Sequence, residues 1–134
     1  MFLIENTNKY ATLKKSKTKY QYLDSKGKVI CNIGYYIYDD MKDFDWINIA
    51  DVDTAKEYRG QGYATRLLNV LIRDMKKDYP SMGLYLLVKV DNDPAIGLYK
   101  KVGFKILKQQ GSYYVMCYGA ADKEQLKKRN FSVD

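Results

Sequence analysis

The chain has 134 residues, 46% of them apolar and 29% charged, with a formal charge of +7 and no histidine. Such a composition excludes a disordered or fibrous protein and predicts a single domain over residues 1–134, long enough to bury a core without staples. The missing histidine removes the usual neutral-pH base, the Ser-His and Cys-His nucleophile pairs and the commonest metal ligand, so proton chemistry falls to carboxylates, Tyr, Lys or water and no metal is expected.

The positive charge favours anionic partners, among them phosphate-bearing cofactors, nucleic acid and acidic proteins, and chooses between none of them. The opening Met1-Phe2-Leu3-Ile4-Glu5-Asn6 has no basic flank before a long apolar stretch, and no other segment approaches bilayer-spanning length. Cys31 and Cys117 are too few for a disulfide framework. A soluble protein of the reducing cytoplasm is the expectation.

In chain order, Lys9 to Asp40 reads as strands, because Tyr, Thr, Val and Ile are frequent and turn signals interrupt the runs. Asp24-Ser25-Lys26-Gly27-Lys28 predicts a hairpin turn between a strand at Lys19 to Leu23 and a longer one at Val29 to Tyr38. Apolar groups on both faces of the longer strand suggest a central place in a sheet. Asp39 to Asp43 is a polar connection, and Trp46 to Thr54 is a further strand, giving an antiparallel meander with no helix before residue 60.

Ala64, Leu67, Leu68, Leu71, Ile72 and Met75 then recur at helical three-and-four spacing. Pro80 and Gly83 close that helix, and Leu84 to Val90 is a nearly continuous apolar run, as in a strand covered on both faces, so the helix crosses between parallel neighbours. Asp91-Asn92-Asp93-Pro94 supplies caps for a helix that stops at Gly103. Phe104 to Leu107 and Tyr113 to Tyr118 read as strands around Gly111-Ser112, followed by a charged helix from Ala121 to Arg129.

The chemistry is concentrated where a strand, the loop Arg59-Gly60-Gln61-Gly62-Tyr63-Ala64 and an amphipathic helix follow one another. This order sets backbone N–H groups at a helix start with no bulky side chains in front, which is an anion cradle. An ordinary glycine turn would read the same. A Walker loop needs Lys and Ser or Thr after the glycine, where Tyr63 stands, and a dinucleotide fingerprint needs Gly or Ala at position 65, where Thr65 stands.

The loop resembles the acyl-CoA loop of the GCN5-related N-acetyltransferase (GNAT) family, whose pattern Arg59, Gly62 and Ala64 satisfy. Asn92, Ala95, Leu98, Tyr99, Gly103 and Phe104 are similar to that family's Asn-x-x-Ala-x-x-Leu-Tyr-x-x-x-Gly-Phe segment. The resemblance covers Trp46 to Tyr118 and implies an α/β fold with a central mixed, largely antiparallel sheet, helices on both faces, and here a shortened N-terminal helical region.

The same resemblance implies an acetyl-CoA-dependent N-acetyltransferase acting by direct attack of a primary amine. It puts Arg59, Gly60 and the backbone of Gln61, Gly62, Tyr63 and Ala64 on the CoA pyrophosphate, adds the Thr65 hydroxyl, and lays Val52, Asp53 and Thr54 along the pantetheine. Thr54-Ala55-Lys56 stands where relatives often have an apolar residue, any residue and Pro. Asn92 either hydrogen-bonds the cofactor or caps its helix, and Leu98 accompanies it. Tyr99, a phenol with an unperturbed pKa of roughly 10, is the candidate acid for the departing thiolate.

Asp51 and Asp53 share one face by strand alternation and are the candidate bases, directly or through water, with Asp45 and Glu57 behind them. The basic runs Lys14-Lys15-Ser16-Lys17 and Lys127-Lys128-Arg129 read chiefly as solvated surface. The stretch where relatives carry one or two helices is short and strand-like here, which suggests an open acceptor side suited to a peptide, protein or charged tRNA; a homodimer is another way to complete the wall. A noncatalytic acyl-CoA-binding module and a basic nucleic-acid binder are the rival classes.

Overall fold

Strand-forming residues broken by short polar turns build the first part of the sheet. The computed structural model describes residues 2–4, 11–38 and 44–131, the first three by their backbone alone. β1 (Phe2–Ile4), β2 (Thr12–Lys15), β3 (Lys19–Leu23) and β4 (Val29–Ile37) pair antiparallel in sequence order. The β3–β4 turn forms around Asp24, whose carboxylate accepts from the N–H groups of Lys26 and Lys28, both at 2.9 Å. β5 (Trp46–Thr54) follows β4 in the sheet and pairs on its other side, in parallel, with β6 (Gly83–Lys89).

The strand order is β1-β2-β3-β4-β5-β6-β8-β7, with β7 at Lys105–Gln110 and β8 at Tyr113–Tyr118. It is a mixed, largely antiparallel sheet, and β5–β6 is a parallel pair, joined through α1 (Tyr63–Asp78) as the apolar run of β6 leads one to expect. The remaining helices are α2 (Asp93–Val102) and α3 (Lys123–Lys128). Among the described residues no helix precedes residue 56, and none is long and apolar enough to cross a membrane.

The chain divides into two compact units, residues 1–36 with 49–74 and residues 37–48 with 75–134. The first buries Leu13, Tyr22, Ile30 and Ile33 from its strands and Leu67, Leu68 and Leu71 from α1, the apolar face that periodicity predicts. Asp74 of α1 fastens the helix to β2 and β3, taking hydrogen bonds from Lys15 Nζ at 2.7 Å and Tyr20 Oη at 2.6 Å. Burial pushes its carboxyl up, yet the bonds from Lys15 and Tyr20 together outweigh it and hold Asp74 below the usual carboxylate range.

The second unit packs Phe44, Trp46, Tyr85, Val115, Cys117 and Leu126 into one cluster. The Trp46 indole donates to the Asp122 carbonyl at 3.1 Å. Arg129 lies over the rings of Phe44, Tyr38 and Phe131 at 4.4, 5.8 and 5.6 Å, and Phe131 exchanges two hydrogen bonds with the Gln110 amide. Burial pushes the Tyr85 phenol up to about 12.

The structure adds β1 and a 3-10 turn at Lys56–Tyr58 to the elements expected, extends β7 to Gln110, and trims the last helix to Lys123–Lys128. Among the described residues the 3-10 turn is the one departure from the expectation of no helix before residue 60. The polar connection expected at 39–43 lies outside the described residues.

Candidate functional site

β5 ends at Thr54, and the Ala55 N–H returns to the Ile30 carbonyl of β4 at 2.8 Å before the chain makes its 3-10 turn. Residues 59–62 then lead into α1, with Gly60 at φ 77° and Gly62 at φ 82°, a left-handed backbone that residues with a Cβ rarely adopt. A methyl at Gly62 would also stand 3.1 Å from Arg66 Nη1. Arg59, Gly60, Gln61 and Gly62 are exposed, whereas Tyr63 is buried and anchors the first helical turn edge-on against Tyr22 and Tyr58, at 5.9 and 5.7 Å.

The first N–H groups of any helix lack intrahelical acceptors, so this loop presents the positive end of α1 to solvent with little side-chain cover. Arg59 adds a cation, held by its Nε–H to the Thr54 carbonyl at 3.0 Å and lying 3.9 Å from Asp53. Gln61 is braced at both ends, its side-chain amide donating to the Glu57 carbonyl and its own carbonyl accepting from Arg66 Nη1, each at 3.3 Å. Arg66 was not among the residues singled out from the sequence. Its guanidinium lies 4.8 Å from the Tyr63 ring, and its Nε is enclosed without a hydrogen-bond partner.

The two candidate bases have different neighbours. Asp53 is 78% exposed beside Arg59. Asp51 is exposed and has φ 53°, the one positive φ outside glycine among the described residues. Its carbonyl accepts from Asn32 Nδ2 at 3.0 Å, and its carboxylate lies against Gly34 of β4. Val52 and Thr54 are half-buried, and the Thr54 hydroxyl donates to Cys31 Sγ at 3.4 Å. Of the weaker alternatives, Glu57 is exposed and Asp45 is bonded through both its N–H and its carboxylate to Gln125.

Asp51, Val52, Asp53, Thr54 and residues 59–65 thus come together in the first unit, while Asn92, Leu98 and Tyr99 belong to the second. There Asn92 caps α2, its side chain accepting from the Ala95 N–H at 3.3 Å. Leu98 is half-buried, and Tyr99 is 7% exposed with its ring 6.0 Å from Phe104. The Tyr99 carbonyl accepts from Gly103 and Phe104 N–H at 3.1 and 2.9 Å, closing the helix.

The basic runs are partly consumed by structure, Lys15 in its bond to Asp74, Lys127 in a 3.2 Å pair with Glu124, and Arg129 on its three rings. Among the described residues no three of His, Cys, Asp and Glu gather as a metal site would require.

The model of the acetyltransferase (GNAT) family matches residues 4–104. An N-alpha-acetyltransferase of Saccharolobus solfataricus is 42% identical over 67 residues, which are 50% of this chain and 40% of that protein. Another, of Sulfurisphaera tokodaii, is 40% identical over the same shares. The matched stretch therefore spans about two fifths of either relative.

The fold is similar to that of the PaiA N-acetyltransferase of Thermoplasma acidophilum, solved with coenzyme A, at a TM-score of 0.65 and 21% identity over 74% of this chain and 58% of that one. Ard1 of Thermoplasma volcanium gives 0.63 and 24% over 76% and 70%. With a family match over most of its length, the chain belongs to the GNAT acetyltransferase family.

Proposed function

We propose that residues 1–134 form one cytoplasmic acetyltransferase domain that moves the acetyl group of acetyl-CoA to a primary amine of a peptide or protein. The N-terminal amine of a polypeptide is the first acceptor to test. The observation that carries the donor is the exposed loop 59–62, with two left-handed glycines at the start of α1. A pyrophosphate received at the helix start would account for that shape. The acceptor class rests on the two N-alpha-acetyltransferases that share 40–42% of the matched residues.

In this reading Arg59, Gly60 and the backbone of Gln61, Gly62, Tyr63 and Ala64 receive the pyrophosphate, with Thr65 adding a hydroxyl. Val52, Asp53 and Thr54 run beside the pantetheine, and Asn92 and Leu98 complete the donor site. The amine nitrogen attacks the thioester carbonyl and forms a tetrahedral adduct. Collapse of the adduct expels the CoA thiolate and leaves an amide. Asp51 or Asp53, directly or through water, takes the amine proton, and the Tyr99 hydroxyl protonates the thiolate.

Tyr99 is enclosed enough to need a definite partner for its hydroxyl. Of the two carboxylates, Asp51 is the first to test, because Asp53 lies 3.9 Å from Arg59, which this reading assigns to the pyrophosphate.

Incubation with acetyl-CoA and a panel of peptides, intact proteins and polyamines, followed by product mass and free CoA thiol, tests the reading. Acetylated peptide termini are the expected product. Binding of CoA without turnover of any acceptor would instead make the chain a noncatalytic module. Turnover confined to polyamines would sink the peptide acceptor.

A further inference from the structure

Left-handed backbone is disfavoured for a residue with a Cβ and persists where its surroundings over-determine it. At Asp51 the surroundings are two side-chain amides on neighbouring strands. Asn32 of β4 donates from Nδ2 to the Asp51 carbonyl at 3.0 Å, and its Oδ1 accepts from Gln21 Nε2 of β3 at 2.9 Å. Gln21 and Asn32 are register partners, and Gln21 is a buried polar residue, 9% exposed.

The polarity of this chain is fixed from one end. A backbone carbonyl can only accept, so Asn32 must turn its nitrogen to Asp51, its oxygen to Gln21, and Gln21 must answer with nitrogen. Two residues along β4, Gly34 makes room, since a Cβ there would lie 3.2 Å from the Ala50 carbonyl and 3.3 Å from the Asp51 carboxylate. Three consecutive strands therefore cooperate on one residue at the functional end of β5.

We propose that Gln21 and Asn32 are positioning residues for acetyl transfer, holding Asp51 in its left-handed conformation so that its carboxylate and the peptide after it are aimed differently from a regular strand. The inference rests on the acetyltransferase reading. Neither amide touches the loop 59–65 that this reading assigns to the pyrophosphate, so their loss acts more on the transfer step than on donor affinity, in which Val52 to Thr54 have only a part. The bond to half-buried Asn32 also explains why the polar Gln21 is buried on β3, where an apolar side chain would pack at lower desolvation cost.

The test compares wild type, Asn32→Leu, Gln21→Leu, Asp51→Gly and the Asn32→Leu/Asp51→Gly pair, by steady-state kinetics and by backbone amide and Cα chemical shifts of residues 50–53. Asn32→Leu is expected to lower kcat about tenfold while KM for acetyl-CoA changes less than about threefold. Gln21→Leu acts in the same direction and less. Both move the shifts at residues 50–53. Glycine holds a positive φ unaided, so Asn32→Leu moves those shifts much less in the Asp51→Gly background.

Unchanged shifts in Asn32→Leu, equal shift changes in both backgrounds, or a raised KM with kcat intact would overturn the proposal. A wild type that turns over no acceptor overturns the acetyltransferase reading instead, and the shifts then still decide whether the two amides hold Asp51.

Discussion

In the first unit the candidate groups stand outside the packing: Arg59, Gly60, Gln61, Gly62, Asp51 and Asp53 are all exposed. In the second, Tyr99 is 7% exposed against Phe104, and Asn92 spends its side-chain oxygen on the α2 cap. An exposed loop whose two glycines hold a left-handed backbone at a helix start is economically explained by an anion that it receives. A buried ring and a helix cap have structural reasons already. Any chemical role for Tyr99 and Asn92 must therefore be separated from stability by experiment.

The sharpest way to break this contrast is Tyr99→Phe. If the hydroxyl delivers the proton, turnover falls about 10²–10⁴-fold, while thermal stability shifts by about 1 kcal/mol or less because the ring stays in place. Equal turnover would leave Tyr99 as packing alone.

Asp74→Asn addresses the framework of the first unit and is expected to cost about 1–3 kcal/mol at neutral pH through its bonds to Lys15 and Tyr20. Because the folded carboxyl titrates below its unfolded value, its contribution is fully present above the unfolded pKa of about 3.9 and is lost as pH falls through the folded value. Denaturant curves of wild type and Asp74→Asn should converge over that acid window.

The smallest effect is expected at the loop itself. Gly62→Ala places a Cβ at φ 82° and crowds Arg66, a cost of about 1–2 kcal/mol. Where the fold absorbs none of it, CoA binding measured by calorimetry weakens about 5–30-fold. Unaltered affinity would show that the left-handed glycine is dispensable for the anion.

Much of the framework was legible because local signals agreed. β3 and β5 have the limits predicted from strand-forming composition and turn signals, and α2 starts and stops where Asn92 and Gly103 signal. β7 runs three residues further than expected since Lys108-Gln109-Gln110 carries no strand-like apolar pattern; its place comes from pairing with β8. β1 is short and set by its partner β2.

Of the candidate site, the loop 59–64 was readable from glycine spacing. The left-handed backbone at Asp51 was not, because aspartate's tolerance of positive φ is too weak a signal inside a strand pattern and the amides that hold it come from residues 19 and 30 positions earlier. Arg66 escaped for a related reason. Periodicity sets it on the polar side of α1, and only the folded chain shows it curling back to the Gln61 carbonyl.

Both cysteines lie in the interior, Cys31 at 0% and Cys117 at 4% exposure, and burial pushes both thiols above their ordinary values. Thiolate is the form that reacts with disulfide reagents. A colorimetric assay of acetyl transfer can therefore be run continuously on the native protein with little background, since the sulfhydryl that develops colour is the one released with CoA.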